Sequence, residues 1–100
     1  MQQIDAQNLK SRLSAKESLN LLHVREEIEY HTYNIGGKNI PLSKLSNEPG
    51  SIGYNKTDEI IVICKAGLRS DTAQSILIQN GYKNVKNLTG GLLALQRLQA

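Results

Sequence analysis

The chain has 100 residues, 39% apolar and 21% charged, with 12 Lys and Arg against 9 Asp and Glu for a net charge of +3. That length suffices for one domain around one core, and the scattered charges argue against disorder or an acidic or basic tail. One Cys, two His, four Tyr and no Trp or Phe exclude an internal disulfide, a Cys-x-x-Cys redox pair and a recognisable metal-ligand spacing, and supply no dense basic face with stacking aromatics for a nucleic acid.

Along the chain, residues 5–13 read as a short amphipathic helix, capped by Asp5 with Leu9 and Leu13 four apart on one face. Residues 19–24 form an apolar run interrupted by Asn20 and His23, which suits a short strand covered on both faces. Residues 25–31 are charged and compatible with a helix, 34–38 hold the Gly36-Gly37 turn, and 39–42 are a brief extended piece fixed by Pro41. Residues 43–56 carry the least pattern and are expected to be a surface connection with one short helical turn. Residues 59–64, Glu-Ile-Ile-Val-Ile-Cys, are the clearest strand and the expected centre of a parallel sheet. Helical spacing returns over 70–80, with Ala73, Ile76, Leu77 and Asn80 on one face and Gly81 at the end. A last strand at 85–88, the pair Gly90-Gly91 and a helix over 92–99 complete the chain.

Strands alternating with helices predict an α/β fold with a parallel sheet and right-handed crossovers. No segment has the makeup of a signal peptide, and no apolar run approaches the roughly 18 residues of a membrane span, so a cytoplasmic protein without a membrane partner is expected.

Cys64 lies at the carboxyl end of the best strand, where ligands bind in parallel α/β sheets. A cysteine reacts as its thiolate, which helix N-termini, backbone amides and nearby cations stabilise. Gly67 allows the following loop to turn back with positive φ and aim the N–H groups of residues 65–70 at the sulfur. Lys65 and Arg69 add positive charge, and Ser70 or Asp71 can cap the next helix. A free cysteine at a buried strand end is also a common inert core residue; the cationic, glycine-containing loop favours the reactive alternative.

Several motifs fall in one order along the chain. They are Leu21-Leu22-His23-Val24-Arg25-Glu26 followed by Glu29-Tyr30, then Asn39-Ile40-Pro41-Leu42, then Cys64-Lys65-Ala66-Gly67-Leu68-Arg69-Ser70, then Gly81-Tyr82-Lys83-Asn84-Val85 with Leu88 and Gly90-Gly91. In these segments the chain resembles the rhodanese-like family, whose active loop reads Cys-x-x-Gly-x-Arg-Ser. The resemblance implies a single domain over residues 1–100, with a small parallel sheet of about five strands flanked by helices on both faces. It also implies a thiosulfate sulfurtransferase-like enzyme that needs no cofactor and no metal. Cys64 would carry sulfane sulfur as a persulfide from a small donor such as thiosulfate to cyanide or a thiol, cradled by Lys65, Ala66, Gly67, Leu68, Arg69 and Ser70.

Three positions depart from the family's usual residues. His23 stands for an aspartate, Gly36 for a proline and Leu95 for a tryptophan. His23 and Arg25 are expected as structural support, Arg25 through an ion pair with Glu26 or Glu29, and Arg69 either faces the substrate or closes the loop. Cysteine phosphatases need five residues between cysteine and arginine, and only Lys65, Ala66, Gly67 and Leu68 intervene here, so phosphatase chemistry is disfavoured. A non-classical sulfur carrier or regulatory module with a shallow, open site, docking on a sulfur-trafficking protein, is the stronger alternative.

Overall fold

The computed structural model describes residues 2–99. Its elements are strand β1 (Gln2–Ile4), helix α1 (Ala6–Ser14), β2 (Leu21–His23), α2 (Glu27–Thr32), β3 (Lys38–Asn39) and α3 (Leu42–Asn47), a 3-10 turn (Pro49–Ser51), then β4 (Glu59–Ile63), α4 (Leu68–Gln79), β5 (Asn84–Leu88) and α5 (Gly91–Gln99). The strands form one parallel sheet in the order β1-β5-β4-β2-β3, which puts β4 at its centre.

The apolar residues of β4 divide between two cores because successive side chains point to opposite faces. Ile60, Val62 and Cys64 pack with Leu22, Val24, Leu45, Ala73, Leu77 and Val85 under α3 and α4. Ile61 and Ile63 pack with Ile4, Leu9, Leu21, Leu88, Leu92 and Leu95 under α1 and α5. A strand covered on both sides has no use for polar alternation, which explains the unbroken Ile-Ile-Val-Ile run. At the amino end of β4, Glu59 takes Arg12 from α1 in two bonds of 3.0 and 2.5 Å and Lys86 from β5. Those cations hold its carboxyl down at about 2, the Arg12 hydrogen bonds contributing most.

Several expectations need correction. Strand β1 carries no signal in the sequence: three residues, two of them exposed glutamines, adopt extended structure because β5 offers a free edge. Residues 43–56 are not a mere surface connection, since α3 runs through Leu42–Asn47 and buries Leu45 completely, while Ile52 is 1% exposed. The strand expected over 19–24 shortens to Leu21–His23. Helix α4 starts at Leu68, two residues early, and its buried face is Ser70, Ala73, Gln74 and Leu77; Asn80 is exposed and Ile76 only half-buried. The expected Asp5 cap is present, its carboxylate accepting the Asn8 N–H at 2.7 Å. Among the described residues no helix is long and apolar enough to cross a membrane.

Candidate functional site

Cys64 follows the last residue of β4 and is 1% exposed, so its sulfur is enclosed rather than set in a shallow, open site. The chain leaves the strand through Lys65 and Ala66, turns at Gly67 with φ of +95°, and enters α4 at once. That left-handed turn is open to glycine at little cost, and it folds the loop back over the sulfur. The N–H groups of Gly67 and Ser70 donate to Cys64 Sγ at 3.1 and 3.3 Å, and Ser70 Oγ lies 3.3 Å from the same atom. Burial pushes the thiol up, but the Ser70 hydroxyl and the N–H groups of Ser70, Gly67 and Ala66 together outweigh it and leave Cys64 below its ordinary value.

The backbone of the loop is fixed from the other side by α5. Leu92 N–H donates to the Cys64 carbonyl at 2.9 Å and Leu93 N–H to that of Lys65 at 3.0 Å. Gly91 permits this approach: a Cβ there would stand 2.5 Å from the Cys64 oxygen and from the carbonyl carbon and oxygen of Lys65. With their carbonyls taken by α5, residues 64 and 65 cannot turn those oxygens toward the sulfur, where they would repel an anion.

Of the cations expected around the loop, Lys65 is exposed at its rim. Arg69 holds Glu29 of α2 in a two-armed ion pair at 2.7 and 3.1 Å, and its charge also feels Cys64. Arg25 approaches the same carboxylate at 3.5 Å and donates to the carbonyls of Glu29 and Tyr33, each at 3.3 Å. Glu29, rather than Glu26, is therefore its partner. The Arg69 guanidinium and the Glu26 N–H bring the Glu29 carboxyl down to about 2.

His23 is fully buried and serves the structure rather than the cradle. Its Nε2–H donates to the Gly36 carbonyl at 2.9 Å and its ring packs edge-on to Tyr30 with centroids 5.0 Å apart. Burial, and to a smaller degree the Arg25 charge, lower its pKa to about 4, so the ring is neutral at physiological pH.

Sequence reasoning missed Asn87. It lies on β5 beside Val62 of β4, on the same face as Val85, and is 6% exposed. Its Oδ1 accepts the Ser70 hydroxyl, and its Nδ2 donates to the Gly67 carbonyl at 3.3 Å. The sequence carries no signal for it, because β5 also holds the polar Asn84 and Lys86; only its burial shows that its amide has to find partners.

The comparisons with known proteins agree with this architecture. The family model for the rhodanese-like domain matches residues 5–98. A candidate sulfur carrier protein of Bacillus subtilis is 35% identical over 91 residues, covering 90% of this chain and 48% of its own length, so the chain spans about half of that relative. A candidate mitochondrial thiosulfate sulfurtransferase of Schizosaccharomyces pombe is 39% identical over 98 residues, covering 86% of this chain and 69% of the relative. In three dimensions the rhodanese-like domain of an Anabaena protein superposes with a TM-score of 0.86 at 29% identity, covering 98% of this chain and 75% of that one. Because the model match runs through both cores and the Cys64 loop, and the solved neighbour shares the sheet, the chain belongs to the rhodanese-like domain family.

Proposed function

We propose that the chain is a sulfurtransferase that carries sulfane sulfur as a persulfide on Cys64, from a donor such as thiosulfate to cyanide or a thiol. The observation that carries this reading is the convergence of the Gly67 and Ser70 N–H groups on Cys64 Sγ at the start of α4. Oriented amides at a helix start stabilise an anion there without reorganising during the reaction.

In the first half of the cycle the Cys64 thiolate attacks the outer sulfur of the donor. An Sγ–S bond forms, the donor's own S–S bond breaks, and with thiosulfate the sulfite leaves with the electron pair. In the second half an acceptor thiolate or cyanide attacks the outer sulfur of the persulfide, and Sγ departs as thiolate. These 100 residues hold no second cysteine to resolve the persulfide, so an acceptor outside them must take the sulfur. A lone functional thiol of this kind is best kept in a reducing compartment, which supports a cytoplasmic location.

The carrier alternative rests on its own observation. The Arg69 charge, which would attract a small dianion, is engaged by Glu29. Leu68 and Ile28, each next in sequence to one partner of that ion pair, are 80% and 79% exposed. Large apolar side chains left in water beside a site fit a protein-borne donor or acceptor better than thiosulfate.

Intact mass after incubation with thiosulfate, and separately with a persulfide donor, tests both readings. Sulfur transfer predicts a gain of one sulfur atom that cyanide or dithiothreitol reverses and that a folded Cys64→Ser variant lacks. Loading from the persulfide but not from thiosulfate favours the carrier. No gain from either donor would leave Cys64 as a packing residue.

A further inference from the structure

Ser70 has one hydroxyl proton and two neighbours competing for it. Cys64 Sγ lies 3.3 Å from its Oγ on one side, and Asn87 Oδ1 accepts from it on the other. The direction of the second bond is settled by the other arm of the amide, since Asn87 Nδ2 donates to the Gly67 carbonyl at 3.3 Å and Oδ1 is thereby turned to Ser70. While Ser70 gives its proton to Asn87, the contact with Cys64 is satisfied by the thiol's own S–H donating to Oγ. Once Cys64 loses that proton, a serine lone pair faces a sulfur anion, and the contact becomes favourable only when the hydroxyl turns from Asn87 to Sγ.

We infer that Asn87 is a positioning residue for Cys64, holding the Ser70 hydroxyl proton while the cysteine is a thiol and ceding it to the sulfur when the cysteine ionises. The cost of abandoning Asn87 Oδ1, which has no other donor among the described residues, opposes ionisation, so the thiol is held less acidic than the cradle alone would make it. This deepens the proposed function by naming what regulates the nucleophile, yet it rests on the hydrogen bonds alone. Acidity and sulfur loading are measured separately, so either can fail without the other.

The charged and titratable groups around Cys64 are few. Arg69 contributes a favourable charge from α4, already paired with Glu29 of α2 and influenced by Glu26. Lys65 is exposed on the loop, His23 of β2 is neutral, and Arg25 is held by Glu29 and two carbonyls. From β5, Lys86 is occupied by Glu59 at the other end of the sheet.

The test is the pH midpoint of thiolate absorbance near 240 nm, with the rate of alkylation as a second reading; the single cysteine makes both signals belong to Cys64. Asn87→Leu is expected to lower the midpoint by about one unit, raising the thiolate fraction about tenfold on the acid side, because Ser70 is then free to serve the sulfur. Ser70→Ala is expected to raise the midpoint, and the double variant to match Ser70→Ala alone. A merely structural Asn87 would not lose its effect when Ser70 is removed. An unchanged or raised midpoint in Asn87→Leu, or a lowering that persists without Ser70, overturns the assignment. Asn87→Ala gives the same reading should leucine fail to fold. The unsubstituted chain adds a variant-free check: the Asn87 side-chain amide resonances must titrate with the Cys64 midpoint, and do so far less in Ser70→Ala, while equal titration in both overturns the assignment.

Discussion

Two strand-to-helix turns lie side by side at the carboxyl edge of the sheet, and they do opposite things with similar parts. The turn from β4 to α4 passes through Gly67 at φ of +95°, and the turn from β5 to α5 through Gly90 and Gly91 at +75° and +61°. Each ends at a helix start, where unpaired N–H groups and the helix dipole favour negative charge. In the first, the amides close on a sulfur. In the second, the first amides of α5 are used on the carbonyls of residues 64 and 65. The difference teaches that a backbone anion cradle has two requirements. Its amides must converge, and something must hold its carbonyls away; here the neighbouring helix start does the second task.

Substitutions that break one turn or the other should therefore have graded effects. Gly91→Ala should be the most damaging, because its Cβ would collide with backbone atoms at 2.5 Å that no side-chain rotation can relieve. A loss of about 3 kcal/mol in chemical denaturation is expected from overpacking and left-handed strain together, with sulfur loading reduced more than tenfold in the fraction still folded. Gly67→Ala should be milder, since the new Cβ would meet the Gly90 nitrogen at 3.3 Å and the Leu88 oxygen at 3.4 Å. About 1–2 kcal/mol of backbone strain is expected there, with loading slowed several-fold. Should Gly67→Ala prove the costlier of the two, the buttress would matter less than the turn it supports.

Glu29→Gln sharpens the comparison from outside the two turns. At neutral pH its effect on stability should stay within about 1 kcal/mol, as for other partly exposed ion pairs, while release of Arg69 should speed loading from thiosulfate. Its pH signature has a definite sign. The folded carboxyl titrates at about 2 against an ordinary 4.5, so the pair contributes fully above the ordinary value and is lost as pH falls toward 2. Denaturation midpoints of the two proteins should therefore converge across that acid range. Unchanged loading at neutral pH would make the pair a clamp between α2 and α4 and nothing more.

How much of this could be read from the chain follows from where each signal resides. The central strand and the Cys64 loop were legible because their information is local: a doubly covered strand needs an unbroken apolar run, and the loop needs its glycine and its helix start. In residues 42–52 the short helical turn was expected, but not the burial of Leu45 and Ile52, which follows from a tertiary contact that no periodicity announces. Strand β1 exists only by courtesy of β5. In α4 the expected face included Ile76 and Asn80, whereas polar Ser70 and Gln74 are the ones enclosed. Ser70 answers to Cys64 and Asn87, and Gln74 donates to the carbonyls of Gln2 and Val85 at 2.5 and 2.8 Å. The Ser70 contact with Cys64 was implied by the loop motif, whereas partners as distant in sequence as Asn87, Gln2 and Val85 leave no local trace. The same holds for Arg69, whose ion pair with Glu29 joins two separate motifs.

The bonds from α5 to the loop also bear on how the molecule is made. Synthesis delivers Cys64 well before Leu92 and Leu93, and until those residues leave the ribosome nothing holds the loop's carbonyls. The nascent thiol therefore waits, on a chain that cannot yet close around it, for the last helix to arrive. Under the proposed function, the cradle for sulfur chemistry is therefore completed only when the last helix has been made, and until then the cysteine is open to oxidants.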